Sequence, residues 1–221
     1  MIRKLIFLFF LLPFIAFSQT INKVDIDGKK QGVWVKKYEN GERRYEGSFK
    51  DDIPHGVFKY YYNSGELQAS EEFFHQGKAA STHFYYLNGK LNASGLYVNQ
   101  QKDSTWNYYN EDEILILSEQ YKAGKLHGTT KTFYEEGELY EVKSWEEGVE
   151  HGKWQQYYKT GQLIMSTTYE NGVLNSSYTY YHSSGEIDIK GMYKNNVRVG
   201  EWIYFSEEGK QDTIINYNES K

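Results

Sequence analysis

Residues 56–79 read GVFKYYYNSGELQASEEFFHQGKA, and this stretch contains two alternating runs separated by glycine-bearing turns. The first run places an aromatic residue at every second position before the turn Asn63-Ser64-Gly65. The second run alternates from Leu67 to Phe73 and ends at His75-Gln76-Gly77. Alternation with a period of two between turns is typical of a β-hairpin, so the sequence predicts two antiparallel strands here.

This unit occurs eight times at a spacing of 24 residues, without a net insertion or deletion, and the copies begin near residues 32, 56, 80, 104, 128, 152, 176 and 200. Every 24-residue step from residue 49 is aromatic: Phe49, Phe73, Tyr97, Tyr121, Trp145, Tyr169, Tyr193 and Tyr217. A fixed period of this size is typical of a stacked array of one supersecondary unit. The sequence therefore predicts an all-β fold, in which a tandem array of antiparallel β-hairpin repeats forms one long twisted sheet of about sixteen strands.

The first 18 residues differ from the repeats in composition. Arg3 and Lys4 give a positive start, residues 5–17 are almost wholly apolar, and Ala16 and Ser18 provide small residues before Gln19. Because this run is too short to cross a bilayer, it predicts a cleaved signal peptide at residues 1–18, with an uncleaved anchor helix as the alternative. Residues 19–221 are then a single repeat domain, exported to the periplasm, the cell envelope or the medium, without an integral membrane span after cleavage.

Net charge limits the kinds of partner that the chain is expected to bind, and cysteine content limits the covalent links that could stabilise it. Lys and Arg total 25 and Asp and Glu total 30, and loss of the two basic leader residues leaves 23 against 30. An acidic balance disfavours nucleic acid as a partner, because phosphate binding depends on Lys and Arg. The chain has no cysteine, which excludes disulfides and a lipid-modified N-terminal cysteine.

The turn Asn40-Gly41 predicts the register of each hairpin. This pair favours a two-residue type I′ loop, in which Tyr38 would face Arg43 and Lys36 would face Tyr45. Applied to every copy, this register predicts a core face in which the Tyr38 column faces an aliphatic column: Leu67, Leu91, Leu115, Leu139, Leu163 and Ile187. The same face would contain the aromatic step from residue 49 and a first-strand column: Trp34, Phe58, Trp106, Trp154, Tyr178 and Trp202.

The fourth copy departs from the glycine pattern. Glu111-Asp112-Glu113 stands where the other copies have a glycine turn, so we expect a bulge or an altered turn at this point. The acidic residues around Asp112 are also the only candidate for a carboxylate-based hydrolase, which would need two desolvated carboxylates in a cleft.

A second aromatic column alternates with the core column and is the candidate partner-binding stripe: Tyr61, Tyr85, Tyr109, Phe133, Tyr157, Tyr181 and Phe205. Alternate residues of a strand point to opposite faces, so this stripe should lie on the face away from the core. Its rungs would be about 9.6 Å apart, a spacing that suits an extended polymer. Two interpretations remain open, a binding surface and the filling of the concave side of a curled sheet.

The remaining polar clusters do not form a recognisable catalytic, cofactor-binding or metal site. His55, His127 and His151 occupy one repeat column, where neighbours would be about 9–10 Å apart, too far to share a metal ion. We interpret them as turn residues beside a glycine. The paired acids, such as Asp51-Asp52, fall at or beside turns and are expected to be solvated. We therefore expect no catalytic residue, no cofactor and no metal.

The pattern G-x-W-x-x-x-Y-x-x-G at Gly32, Trp34, Tyr38 and Gly41 resembles the MORN repeat in its shorter bacterial variant. The His-Gly pairs that begin at His55, His127 and His151 match the same family, and the likeness covers about residues 22–217. The resemblance implies a stack of hairpins acting as an interaction surface, and bacterial proteins of this kind are often labelled antitoxin components. A weaker likeness to choline-binding cell-wall repeats is also present.

Together these patterns predict an exported, non-catalytic binding or scaffold protein that presents an aromatic repeat surface to a protein or a cell-envelope glycan. The alternatives are an antitoxin-like neutraliser of a partner toxin, a cell-wall glycan-binding module and, less well supported, a hydrolase. The oligomeric state and the identity of the partner stay open.

Overall fold

A computed structural model describes residues 20–217, and the expected signal peptide at residues 1–18 lies outside them. The described residues contain eighteen strands: β1 (Lys23–Val24), β2 (Lys30–Lys37), β3 (Arg43–Lys50), β4 (Ile53–Tyr61), β5 (Leu67–Phe74), β6 (Ala79–Tyr85), β7 (Leu91–Val98), β8 (Gln101–Tyr109), β9 (Leu115–Lys122), β10 (Lys125–Phe133), β11 (Leu139–Glu146), β12 (Val149–Tyr157), β13 (Leu163–Glu170), β14 (Val173–Leu174), β15 (Ser177–Tyr181), β16 (Ile187–Lys194), β17 (Val197–Phe205) and β18 (Gln211–Tyr217). Within residues 20–217 no helix has the length and apolarity needed to cross a bilayer.

The strands form one open antiparallel sheet in which strand order follows the chain. Each strand pairs with the next one except β14, which does not pair with β15 because both pair with β13. The all-β array of hairpins is therefore confirmed. The count exceeds the expected sixteen because β1 adds to the edge and Ser176 splits one strand into β14 and β15. The Ser176 hydroxyl accepts a hydrogen bond from the Thr168 N–H and lies 3.0 Å from the Thr168 carbonyl, so it satisfies backbone groups that a continuous ladder would pair.

The turn within each copy differs from the expected type I′ loop. Gly41 has a φ of 90°, whereas Asn40 keeps a negative φ. The Gly41 N–H bonds to the Tyr38 carbonyl at 3.1 Å, and the Tyr38 N–H bonds to the Glu42 carbonyl at 2.8 Å. This is a three-residue loop, a type I turn followed by a left-handed glycine. The type I′ prediction was wrong because an Asn-Gly pair is compatible with both the two-residue type I′ loop and the three-residue loop. Only the three-residue loop leaves Asn with a negative φ.

A bulge follows this turn in every copy and corrects the predicted register. Lys36 faces Tyr45 as expected, but Lys37 faces Arg43, so Arg44 is an extra residue on β3. The same shift recurs in all eight hairpins. Because the extra residue reverses the alternation, the aliphatic column that begins at Leu67 leaves the core face. The predicted pairing of Tyr38 with Arg43, and of its equivalents in other copies, was therefore wrong.

The fourth copy has a bulge, as expected, but its turn and its bulge are the same as in the other copies, so it does not depart from them. Glu113 adopts the left-handed conformation with a φ of 63°, and its N–H bonds to the Asn110 carbonyl at 2.9 Å. A non-glycine residue in this conformation costs roughly 1–2 kcal/mol. The Asn110 side-chain carbonyl offsets part of this cost by accepting the N–H groups of Asp112 and Ile114, each at 3.0 Å.

Type I′ turns do occur, but they join one copy to the next. Both central residues have a positive φ in six such turns: Asp51-Asp52, Asn99-Gln100, Ala123-Gly124, Glu147-Gly148, Asn171-Gly172 and Asn195-Asn196. The second residue of most of these turns also donates its N–H to a carbonyl of the preceding copy, as Asp52 does to Lys30 at 3.2 Å and Gly124 does to Lys102 at 2.8 Å.

The opposite ends of the hairpins are joined by side chains. The Tyr38 hydroxyl donates to the Tyr61 carbonyl of the next copy at 2.7 Å. Equivalent bonds run from Tyr62 to Tyr85, Tyr86 to Tyr109, Tyr134 to Tyr157 and Tyr158 to Tyr181. Each copy is thus bonded to its neighbour at both ends of the hairpin, and a spacing other than 24 residues would break both sets of bonds.

The core is the layer of rings on one face of this single sheet. Trp106 and Trp202 are 1% and 0% exposed, and Phe58 is also buried. Where the preceding strand offers a glycine, the ring lies on the backbone, and a Cβ at Gly95 would lie 2.2 Å from the Trp106 ring. The aromatic columns that begin at Trp34 and Phe49 therefore form the core face, in agreement with the sequence.

Candidate functional site

The seven candidate residues form a stripe on the face opposite the core, and we call it the outer stripe: Tyr61, Tyr85, Tyr109, Phe133, Tyr157, Tyr181 and Phe205. All seven side chains are half-buried. The Tyr61 hydroxyl donates to a Glu46 carboxylate oxygen at 2.7 Å, and the Tyr85 hydroxyl lies 3.4 Å from the Ser70 hydroxyl. Burial and the Glu46 hydrogen bond raise the pKa of Tyr61, so this hydroxyl remains a donor at neutral pH.

The in-copy bulge pairs this stripe with the aliphatic column that the sequence had assigned to the core. The directly opposed pairs are Tyr61 with Leu67, Tyr85 with Leu91, Tyr109 with Leu115, Phe133 with Leu139, Tyr157 with Leu163 and Tyr181 with Ile187. Opposed residues of an antiparallel pair share a face, and aromatic–aliphatic pairs contribute about 0.2–1 kcal/mol each. We call the outer stripe together with these six aliphatic residues the Tyr–Leu ribbon.

The ribbon has polar ends and a polar flank. Its first-copy counterpart is the pair Lys37–Arg43, and its last aromatic, Phe205, faces Gln211. Serines stand beside it on the outer face in four copies: Ser70, Ser94, Ser118 and Ser166. Seven rungs spaced about 9.6 Å apart span about 58 Å. The surface is therefore a long apolar strip with hydroxyl groups along one side.

Comparison with known families agrees with this geometry. Five segments match the MORN repeat variant family, at residues 30–51, 54–75, 126–147, 150–171 and 174–195. The chain belongs to the MORN repeat variant family. MORN repeats are typically binding or scaffold units, and the family is generally non-catalytic. The hairpins β6–β7, β8–β9 and β17–β18 fall outside the matched segments but have the same in-copy bulge. No curated protein matches the sequence.

The histidines of the MORN repeats lie in strands and not in turns, which corrects that interpretation. His127 and His151 stand in β10 and β12, and each ring accepts the N–H of a turn residue in the next copy. The His127 ring receives Glu147 at 3.5 Å, and the His151 ring receives Asn171 at 3.4 Å. Between residues 20 and 217 no three side chains of His, Cys, Asp or Glu converge as a metal site.

The acidic turn around Asp112 lacks the geometry of a hydrolase site. Glu111, Asp112 and Glu113 are all exposed on a regular turn, and Asp112 lies 3.8 Å from the Lys90 ammonium. Exposed carboxylates are solvated, so this trio does not provide the desolvated acid that general acid catalysis needs.

The sequence reasoning missed a set of cations that cover the rings of the core face. Lys30 lies 4.9 Å from the Trp34 ring centre, Lys102 lies 4.8 Å from that of Trp106, and Arg198 lies 4.2 Å from that of Trp202. These three cations occupy one 24-residue column. That spacing was readable in the sequence, because each of these cations stands four residues before the tryptophan that it covers.

Proposed function

We propose that this MORN repeat variant protein is an exported, non-catalytic binding or scaffold module that holds an extended partner, a polypeptide or a cell-envelope glycan, along the Tyr–Leu ribbon. The observation that carries the proposal is the ribbon itself, a continuous aromatic and aliphatic strip on the face opposite the core. Contiguous apolar strips on soluble proteins mark contact surfaces more often than isolated apolar residues do.

The chemistry of the ribbon favours an extended occupant over a compact one. Rings repeat at about 9.6 Å from copy to copy and supply flat platforms, and no pocket is needed to engage them. The serine hydroxyls of Ser70, Ser94, Ser118 and Ser166 can donate to, or accept from, the amides of a peptide or the hydroxyls of a sugar. Half-burial restricts each ring, and six of the seven rings also face an aliphatic side chain, so these rings lose little conformational entropy on binding.

Export rests on a different part of the chain. The basic start, the apolar run at residues 5–17 and the small residues before Gln19 together support a signal peptide. Expression of the full chain followed by N-terminal sequencing of the product tests this step, and a mature protein that begins at Gln19 is the expected result.

Binding is tested with a triple variant and a matched control from the same three copies. Tyr85→Ser, Tyr109→Ser and Tyr157→Ser remove three adjacent or near-adjacent rungs from the outer stripe. His83→Ser, Asn107→Ser and Gln155→Ser change three residues of the same strands and the same face, two positions away. Mature protein, immobilised in all three forms, is incubated with the envelope fraction of its own cells and, separately, with purified insoluble cell-wall glycan.

We expect the unmodified protein and the control to retain one partner that the triple variant loses, while all three give the same far-UV circular dichroism. Retention on glycan alone would identify a sugar partner, and retention of one polypeptide would identify a protein partner. Equal retention by the triple variant and the control would contradict the role of the ribbon.

A further inference from the structure

The boundary between the second and third copies contains a cavity on the core face. Its volume is about 560 Å³, and its apolar wall includes Pro54, Phe73, Ala80, Phe84 and Tyr97. The strand registers place Phe73, Ala80, Phe84 and Tyr97 on the same face as the buried rings.

The cavity wall also contains three polar residues, Glu71, Lys78 and Gln100, and Glu71 is the anionic one among them. Glu71 is half-buried, and the Tyr60 hydroxyl donates to it at 3.0 Å. Opposite Glu71 on the next strand lies Thr82, which is 0% exposed. Desolvation raises the pKa of Glu71, which is the expected response of a carboxyl group that no cation stabilises.

The same constellation occurs 48 residues later, and there a cation completes it. Glu119 faces Thr130, as Glu71 faces Thr82. Tyr121 stands at the step of Phe73 and donates its hydroxyl to Glu119 at 2.8 Å. Lys102 stands at the position equivalent to Pro54, 48 residues later.

The Lys102 ammonium is held by three rings and one hydroxyl. It lies 4.8 Å from the ring centre of Trp106 and 5.1 Å from those of Tyr108 and Tyr121. It also donates to the Tyr108 hydroxyl at 2.5 Å, and Tyr108 is in turn hydrogen-bonded to Glu119. The second site thus shows how this sheet binds an alkylammonium group, with rings around it and a carboxylate one hydroxyl away.

At the first site the carboxylate and its tyrosine are retained, while the lysine is replaced by proline and the space beside it is the cavity. We propose that this cavity binds a primary alkylammonium group from another molecule, which lies beside Glu71 as Lys102 lies beside Glu119 at the second site. The rings of Phe73, Phe84 and Tyr97 surround the alkyl chain and the cation, and Glu71 supplies the negative charge.

Two sources present this group, a free aliphatic amine and the side chain of a lysine in a polypeptide. The recognition chemistry is the same in both cases. The cavity is partly open to solvent and Lys78 in its wall is exposed, so either source has access.

The test is isothermal titration calorimetry of the mature protein with n-pentylammonium, with Nα-acetyl-lysine methylamide, and with uncharged 1-pentanol. We expect one site for an ammonium probe and no binding of 1-pentanol. A tighter fit of pentylammonium indicates a free amine as the natural source, and a tighter fit of the lysine derivative indicates a side chain. Absence of binding of both ammonium probes at millimolar concentration would overturn the proposal.

Reciprocal variants distinguish this site from adventitious binding. Glu71→Gln preserves shape and is expected to weaken binding at least about tenfold, because it removes the negative charge that the bound ammonium faces and to which the Tyr60 hydroxyl donates. Glu119→Gln is the matched control and should leave binding at the first site unchanged. An equal loss in both variants would contradict the assignment.

Exchange of the residues at the two equivalent steps provides an independent readout. Pro54→Lys supplies an internal ammonium, so the titrated probe should no longer bind. Lys102→Ala removes the internal ammonium at the second site and should raise the stoichiometry from one probe to two. A variant Pro54→Lys that still binds pentylammonium with unchanged affinity, while folded by circular dichroism, would refute the proposal.

Discussion

The boundary between copies two and three and the boundary between copies four and five use the same residues at their centres and close in different ways. Glu71 and Thr82 face each other at the first, and Glu119 and Thr130 at the second. The second boundary is sealed by the Lys102 ammonium, whereas the first leaves a cavity of about 560 Å³. The repeat therefore determines which residues face each other, while the side chains at individual repeat positions vary in chemistry.

The backbones of the two boundaries differ in where two of the 24 residues of the repeat are placed, in a bulge or in a longer loop. At the second boundary the turn Ala123-Gly124 is short, and a bulge follows it before Thr130. At the first boundary the register is continuous from Phe74–Ala79 onward, and residues 75–78 form a longer loop. The two residues lie in a loop at one boundary and in a bulge at the other. The 24-residue period and the strand pairing after these residues are therefore the same at both boundaries.

The largest expected effect tests whether the ring column between the two boundaries carries most of the local stability. Trp106→Ala removes a ring that is 1% exposed, and we expect the free energy of unfolding to fall by about 3–5 kcal/mol. Thr82→Ala, in the same column, should cost less than about 1 kcal/mol because it removes a methyl group and a hydroxyl without a partner and not a whole ring. Urea denaturation of both variants measures the difference.

A loss in Thr82→Ala as large as that in Trp106→Ala would mean that the first boundary is as tightly packed as its neighbour. In that case the cavity would not be a property of the folded array in solution.

The fold and the ring columns follow from the sequence, while the register near the turns does not. Period-two alternation and the 24-residue step are set by backbone geometry, so Trp106 and Trp202 could be assigned to the core without coordinates. The pair Asn40-Gly41 does not distinguish a two-residue turn from a three-residue turn with a bulge. That single ambiguity reverses the face of Leu67 and its equivalents, and with it the composition of the candidate binding surface.

The cavity was beyond sequence reasoning for a related reason. Ala80 and Ser104 occupy the same step, yet Ser104 adopts a φ of 59° and forms a bulge, whereas Ala80 does not. At the first boundary Gly77 takes a φ of 75° instead. The two extra residues of a copy can be placed either in a bulge at the step of Ala80 or in a longer loop that includes Gly77. The free energies of these two arrangements differ by about 1 kcal/mol, which the sequence pattern alone does not resolve.

The next prediction converts the first boundary into the form of the second. Gly77→Val combined with Ala80→Gly moves the glycine that can adopt a positive φ from the loop to the position equivalent to the bulge residue Ser104. We expect a two-residue turn at His75-Gln76 and the transfer of Lys78 into the ladder at the step of Lys102. Its ammonium would then cover Phe84 and Tyr97, and titrated pentylammonium should no longer bind.

The measurement is hydrogen exchange and nuclear Overhauser contacts at residue 77, which should pair with Phe74 in the double variant. Gly77→Val alone is the matched control, because a β-branched residue at a φ of 75° is strained and should lower the free energy of unfolding by about 1–2 kcal/mol. The design fails if the double variant is as unstable as the single one and shows no contact between residues 77 and 74.

The smallest expected effect concerns the hydroxyl at the centre of the first boundary. Thr82 Oγ1 is buried without a hydrogen-bond partner among the described residues, whereas Thr167 Oγ1 donates to the Ser177 carbonyl at 3.0 Å. Thr82→Val replaces the hydroxyl by a methyl group of similar size and should raise the free energy of unfolding by about 0.5–1 kcal/mol, since an unpaired buried hydroxyl is costly.

Thr167→Val makes the same chemical change at a site that is 3% exposed, and there it should lower stability by about 1 kcal/mol because a satisfied bond is lost. Urea midpoints measured under one condition give both signs. If Thr82→Val also destabilises, the hydroxyl is bonded in solution, and the natural explanation is a water molecule in the cavity beside Glu71. The contrast between the two boundaries would then be one of hydration, with the first closed by solvent where the second is closed by Lys102.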